Sequence, residues 1–477
     1  MLLGYGKKIF GNRFPQVVAV ITATFGAISD GVQYGWASPV IPILKREDSP
    51  VGPIDNTVIT WLEILYMLGG IAGLPITIYM VDRYGRKKSI LIAAAGNFLS
   101  WVLTATAYNT PMLYASRFIA GMAGDMAFVA GPMYIAEIAD KNIRGLLSGF
   151  IYIALLLGIV IVYCVAPFVS IVVSSMVGAS FVVLQFLTFI FMPESPYFLL
   201  MDKKTEKCKK TLQFLRGTKE IEEEYQEIAA AVTRQEQEKG RPIDLIVDKG
   251  NRKGVIIMTV LNGSQHFSSI SVMLMNLHLI LTDAEGIIST EMSGILFSVV
   301  MLFAAMFGVT VVDKYGRKKL LAISSFLTGI SLALLATYFL IKDEYKIDVT
   351  EYNWIPLFSV ILYAIAFKCG LGIVPIVMTG ELFPTSVKAM GMATADAMYV
   401  IFGAISIFMY QELVQIFGIY CPFYIFAASC ILTAMFAIFY IPETNGKTLE
   451  EIQFILKGLT PEEIKKQQEQ DIATTKL

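Results

Sequence analysis

Charge is scarce in this sequence: Asp, Glu, Lys and Arg make up 16% of its 477 residues, where an ordinary soluble domain carries about 25%. With 55% of the residues hydrophobic, water is not the main solvent of this chain. The charges nearly cancel, leaving a net −1, so no field recruits nucleic acid or an acidic partner. Cysteine amounts to five scattered residues without a Cys-x-x-Cys pair, which argues against a disulfide framework and against a zinc site. Histidine is limited to His266 and His278. No nucleophile and base stand at usable spacing and no phosphate loop is present, so the sequence supports neither an enzyme nor a cofactor or metal.

What the sequence has instead is long apolar runs. A hydrocarbon layer about 30 Å thick takes roughly 20 apolar residues of helix to cross, and helices satisfy their own backbone groups there. Runs of that length predict twelve spans near 16–37, 57–80, 89–108, 112–135, 146–167, 172–193, 254–281, 291–312, 320–341, 354–379, 389–411 and 421–441. The partner of this surface is the lipid bilayer. With residues 1–15 placed inside, the inner loops collect Arg83, Arg86, Lys87, Lys88, Lys141, Arg144, Lys314, Arg317, Lys318 and Lys319. The outer loops hold only Lys45, Arg46, Lys342 and Lys346, beside acids, so the positive-inside rule predicts both termini on the cytoplasmic face of a multi-pass cell-membrane protein.

The chain reads as two halves, 16–193 and 254–441, joined by a charged segment, 194–253, predicted to be a cytoplasmic helical linker and followed by a tail, 442–477. Repetition supports the division. Asp82-Arg83-Tyr84-Gly85-Arg86-Lys87-Lys88 recurs as Asp313-Lys314-Tyr315-Gly316-Arg317-Lys318-Lys319, each after the second span of its half. The stretch Glu137 to Arg144 reappears as Glu381 to Lys388, and Pro193-Glu194 as Pro442-Glu443. Two parallel six-helix halves are the architecture of alternating access, in which one half rocks against the other around a midplane site.

With Arg117-Phe118-Ile119-Ala120-Gly121, Pro132-Met133-Tyr134-Ile135-Ala136-Glu137, Pro193-Glu194-Ser195-Pro196, Glu381-Leu382-Phe383-Pro384-Thr385 and Pro442-Glu443-Thr444-Asn445-Gly446, the chain resembles the sugar porter family of the major facilitator superfamily. The likeness runs from the first span to Glu451 and is nearest to the facilitated trehalose transporter-like members of insects. It implies an all-α membrane protein of two pseudo-symmetric six-helix bundles, needing no cofactor, a monomer sufficing, that carries a sugar such as trehalose or a hexose. It also implies a gate of inside-facing ion pairs, assigned to Asp82, Arg86, Arg117, Glu137, Arg144, Asp313, Arg317, Glu381 and Lys388. Exposed pairs of this kind contribute about 0–1 kcal/mol each, which suits a latch that must open.

The solute-contacting positions depart from the family pattern. The glutamine of the fifth span is replaced by Tyr152; the paired glutamines of the seventh read Gln265-His266, followed by Ser271, and its Tyr-Tyr reads Met275-Asn276. The tenth span, Gly372-Ile373-Val374-Pro375-Ile376, lacks the stacking tryptophan, and the Asn-Trp of the eleventh is Tyr399-Val400. Each sugar hydroxyl taken from water needs a partner, about 1–3 kcal/mol being lost per unmatched group. The candidates here are Gln33, Tyr152, Gln265, His266, Ser271, Asn276 and Tyr399. Asp30, Glu63, Asp125, Lys368 and Asp396 are ionisable residues inside spans, where such groups are functional by default. Transport of another organic solute with proton coupling, and a solute sensor without turnover, stand as the alternatives to a facilitative sugar carrier.

Overall fold

The computed structural model describes residues 14–140, 143–237, 241–284, 288–384, 387–447 and 449–458; within these the side chains at 144–146, 234–237, 283–284, 313, 389 and 449–450 are not described. The expected N-terminal segment before Phe14 and the tail beyond Gly458 lie outside the described residues. All regular structure among those described is helical.

The first half comprises α1 (Phe14–Gly35), α2 (Ala37–Leu44), α3 (Asn56–Tyr84), α4 (Arg86–Ala105), α5 (Thr110–Ile138), α6 (Arg144–Val165) and α7 (Ile171–Phe189). The helices begin where a short polar side chain can take up a free amide: Asp55 accepts from Val58 N, Asn109 from Met112 N and Ser170 from Val173 N. Linker helices α8 (Pro196–Met201), α9 (Thr205–Arg216), α10 (Glu222–Gln237) and α11 (Asp244–Val247) follow. The linker is more than a solvated tether, because Leu199, Cys208, Leu212, Ile221, Ile228 and Val232 close into a small core of their own. It is also tied to the bundle: Gln16 donates to Leu215 O at 3.2 Å and accepts from Asp140 N at 2.8 Å.

The second half comprises α12 (Lys249–His266), α13 (Ile270–Ala284), α14 (Thr290–Tyr315), α15 (Arg317–Phe339), α16 (Ile355–Cys369), α17 (Val374–Glu381), α18 (Lys388–Phe417) and α19 (Tyr420–Phe439), with α20 (Leu449–Lys457) after the last span. Eleven helical stretches among the described residues are long and apolar enough to cross a membrane. The twelfth crossing is the predicted seventh span, and here the expectation of one helix over 254–281 needs correcting. The helix stops at Phe267–Ser269, where Ser269 takes φ +75°, a conformation that no residue with a Cβ holds inside an α-helix. The tenth span is interrupted as well, at Gly370–Ile373, just ahead of Pro375, which stands in the first turn of α17, where its missing N–H loses no bond.

Many large side chains point outward, among them Leu187 at 65%, Phe303 at 64% and Phe439 at 81% exposure. An apolar surface of that extent belongs against lipid. Contacts divide the chain into two compact units: one holds residues up to 237 together with Ser271–Leu302 and Ile407–Glu412, and the other holds 238–270, Phe303–Ser406 and the remainder from Leu413. Close packing in the first depends on glycine, since a Cβ at Gly31 or Gly158 would run into the backbone of the opposite helix at Leu155 or Ile28.

Candidate functional site

The repeated motifs build the same cluster twice. In the first unit α3 ends and α4 begins at Gly85, whose φ of +94° and ψ of 170° suit glycine alone. The turn points the first amides of α4 at Glu194: Arg86 N and Lys87 N donate to its Oε1 at 3.1 and 3.0 Å. A carboxylate at a helix N-terminus is favoured by both the free amides and the dipole. Burial pushes the Glu194 carboxyl above its ordinary range, against the pull of the Lys87 and Ser195 amides. The Arg86 guanidinium then meets Glu137, from α5, through Nε at 3.1 Å and Nη2 at 2.8 Å. Ser195 Oγ donates to the other Glu137 oxygen.

In the second unit Gly316 has φ +84°, Arg317 N and Lys318 N donate to Glu443 at 2.9 and 3.1 Å, and Arg317 Nη2 reaches Glu381 at 2.8 Å. Thr444 Oγ1 donates to Glu381 Oε2 at 2.6 Å, taking the part of Ser195, and Asn445 accepts from Arg317 Nη1 at 2.6 Å. Glu194, Ser195, Glu443 and Thr444 are missing from the residues assigned to the gate from sequence. The repeat of Pro-Glu at both positions is the signal that could have placed them there.

These pairs differ from the exposed latch the sequence suggests. Side-chain exposure is 4% for Arg86 and 15% for Glu137, and 9% and 23% for Arg317 and Glu381, and each pair lies inside its own unit. Asp82 is exposed, and Lys388 is half-buried. Burial holds the Lys388 ammonium below its ordinary pKa, with the charge of Glu381 acting in the opposite direction. The side chains of Arg144 and Asp313 lie outside the described residues. Arg117 is set apart from Glu137 by 20 residues of one helix, about 30 Å. Its Nη1 donates to Gln33 O at 2.9 Å and its guanidinium lies 4.5 Å from the Tyr66 ring centre, so it does not join the motif cluster.

At that far end the first unit gathers a polar group. Gln33 Nε2 donates to Asn97 Oδ1 at 3.3 Å and Ser100 Oγ at 3.0 Å, and Asn97 donates to Asp30 at 2.6 Å. Residues of α13 enter the same unit: Ser271 Oγ lies 3.2 Å from Tyr34 Oη, Asn276 donates to Glu63 at 3.1 Å, and His278 Nδ1 pairs with Ser38 Oγ at 2.8 Å. Tyr152 lies half-buried on α6. In the second unit Gln265 donates to Leu371 O at 3.0 Å, next to the interruption of the tenth span. The His266 and Tyr399 rings approach to 4.2 Å. The seven candidate solute residues thus fall into two sets: Gln265, His266 and Tyr399 in one unit, and Gln33, Tyr152, Ser271 and Asn276 in the other.

Two halves that repeat one charged turn are the architecture associated with alternating access, and comparison with known proteins identifies the family. Residues 18–456 match the sugar (and other) transporter family, and the chain belongs to it. Over 458 residues it is 28% identical to the facilitated trehalose transporter Tret1 of Bombyx mori, covering 94% of this chain and 88% of that protein. It is also 28% identical to the Tret1-2 homolog of Drosophila sechellia, covering 94% and 92%. The fold matches the inward open xylose transporter XylE from E. coli with a TM-score of 0.74 at 24% identity, over 91% of this chain and 98% of that one. The major facilitator fold expected from the motifs is therefore the observed one.

Proposed function

We propose that this protein moves trehalose, a hexose or a related small polar solute down its gradient by alternating access, in the plasma membrane with both termini cytoplasmic. The observation that carries the reading is the duplicated Arg–Glu cluster. Buried pairs of this kind, anchored to a helix end by a further carboxylate, support units that move as rigid bodies, because removing one partner leaves a buried charge exposed to a loss of about 3–5 kcal/mol. Gln33, Gln265, His266 and Tyr399, with Tyr152, Ser271 and Asn276, are the residues to which we assign solute contact. Uptake of labelled trehalose, glucose and other hexoses into sugar-transport-deficient cells is expected to be saturable for at least one of them and driven by its gradient alone. Absence of saturable uptake for every sugar would overturn the assignment.

A second reading, a sensor that binds solute without moving it, draws support from Ser271 and Asn276, whose polar groups already bond to Tyr34 and Glu63. Binding with no net flux in the same cells would favour it.

A further inference from the structure

Glu63 is a carboxylate in the body of a span, fully buried at 0% exposure, with no counterpart in the repeated motifs. It stands on α3 at the end remote from Gly85. Its Oε2 accepts from Asn276 Nδ2 at 3.1 Å, its Oε1 has no hydrogen-bond partner, and Gln411 in turn donates to Asn276 Oδ1 at 3.4 Å. The charge facing Glu63 from α5 is Arg117, close enough to act on it electrostatically, whose Nη2 is likewise buried without a partner. Around this point α13 presents Val272, Met273, Leu274, Met275 and Leu277, each at most 1% exposed. An apolar surface alone fixes no register, because one methylene face packs much like the next. A buried charged acceptor does, since a slip of α13 by one residue leaves the carboxylate facing hydrocarbon.

We propose that Glu63 is the positioning residue that holds α13, the second half of the broken seventh span, in its closed place, acting through Asn276 and the Gln411 that orients it. This rests on the reading of the chain as a sugar carrier whose Glu63 end faces outward. The break at Ser269 frees α13 to leave independently of α12, and the carboxylate sets how often it does so. Weakening the bond shifts the carrier toward an outward-open form. Apparent affinity is the intrinsic affinity scaled by the fraction of competent molecules, so the consequence is a change in sidedness and not a general loss.

The test is Glu63→Gln, which keeps shape and hydrogen bonding but removes the charge, together with Gln411→Leu, which removes the amide that orients Asn276. For each, zero-trans influx and efflux of the transported sugar are measured in cells and in inside-out vesicles. For Glu63→Gln the expected result is a KM for influx lowered about tenfold, the difference between a charged and a neutral hydrogen bond, with the KM for efflux raised, and Gln411→Leu moves both values the same way. A second readout needs no transport. Val272→Cys in a cysteine-less background is labelled from outside by an impermeant maleimide, slowly with Glu63 present and about tenfold faster with Glu63→Gln. Unchanged KM values on both faces, or unchanged labelling, overturn the proposal. If the wild type carries no sugar, the carrier reading fails, and labelling alone decides whether Glu63 holds α13.

Discussion

Replacing Gly85 by alanine isolates what the repeated turn contributes. The φ of +94° and ψ of 170° at Gly85 lie in a region that is essentially glycine's alone, and forcing a Cβ into it costs on the order of 1–3 kcal/mol. The added carbon would also stand 2.5 Å from Glu194 Oε2 and 2.7 Å from the Phe198 ring, so the carboxylate must withdraw from the first amides of α4. Each hydrogen bond to a charged group is worth about 1.5–3 kcal/mol; loss of one bond plus the backbone strain gives roughly 3–5 kcal/mol. At about 2–4 °C per kcal/mol for a unit of this size, the unfolding midpoint in detergent is expected to fall by roughly 10 °C. Gly316→Ala is expected to behave alike, because Glu443 Oε2 lies 2.5 Å from its Cβ position. Gly149→Ala, where a Cβ meets nothing within 4 Å, serves as the control and stays at the wild-type midpoint or above it. A Gly85→Ala midpoint within two or so degrees of the control, about the scale of 1 kcal/mol, would refute the reasoning.

Arg86→Met and Glu137→Met singly are each expected to destabilise by about 3–5 kcal/mol, while the double replacement loses much less, because both buried charges leave together; a double-mutant cycle on detergent unfolding measures the difference. Gly158→Val is expected to abolish the folded fraction seen by size-exclusion chromatography, since any Cβ there strikes Ile28 O on α1. Ser269→Gly is expected to stabilise by about 1 kcal/mol by relieving φ +75° and removing a buried hydroxyl without a partner. Ser269→Val is expected to destabilise, and the same unfolding assay checks both.

The architecture was legible because lipid imposes a simple rule: a stretch must be apolar for about 20 residues or it does not cross. The boundaries of α3, α5 and α7 follow from Asp55, Asn109 and Ser170, which any reading for caps would select. The break in the seventh span was not legible, because Phe267-Ser268-Ser269 contains neither glycine nor proline. In the tenth span the break falls ahead of Pro375, at residues that include Gly370 and Gly372, since proline is comfortable in a first turn. Within the site, residue type named Gln33, Asn276 and Ser271 as solute contacts; that each already has a protein partner depends on which helices meet, which no local pattern records.

The placement of the repeated charges alters where a barrier to transport must come from. Exposed ion pairs worth about 0–1 kcal/mol each can be broken in every cycle, and the sequence alone suggests a gate of that kind. The pairs observed, Arg86–Glu137 and Arg317–Glu381, are buried, each helix end is anchored by a second carboxylate, and the partners of each pair belong to the same unit. Breaking them at each turnover would require several kcal/mol per pair, so they are better suited to hold each helix junction fixed while something weaker yields. The bonds from α13 to Tyr34, Ser38, Glu63 and Tyr163 are hydrogen bonds without an ion pair, on a helix already severed from its neighbour at Ser269. On the proposal made for Glu63, the helix that follows the break is the part that moves, and the repeated charge motifs hold their helix junctions fixed. Arg86→Lys, which keeps the charge but gives up the fork onto Glu137, should therefore lower stability more than it changes the ratio of influx to efflux KM, and the reverse order would return the motif cluster to the role of gate.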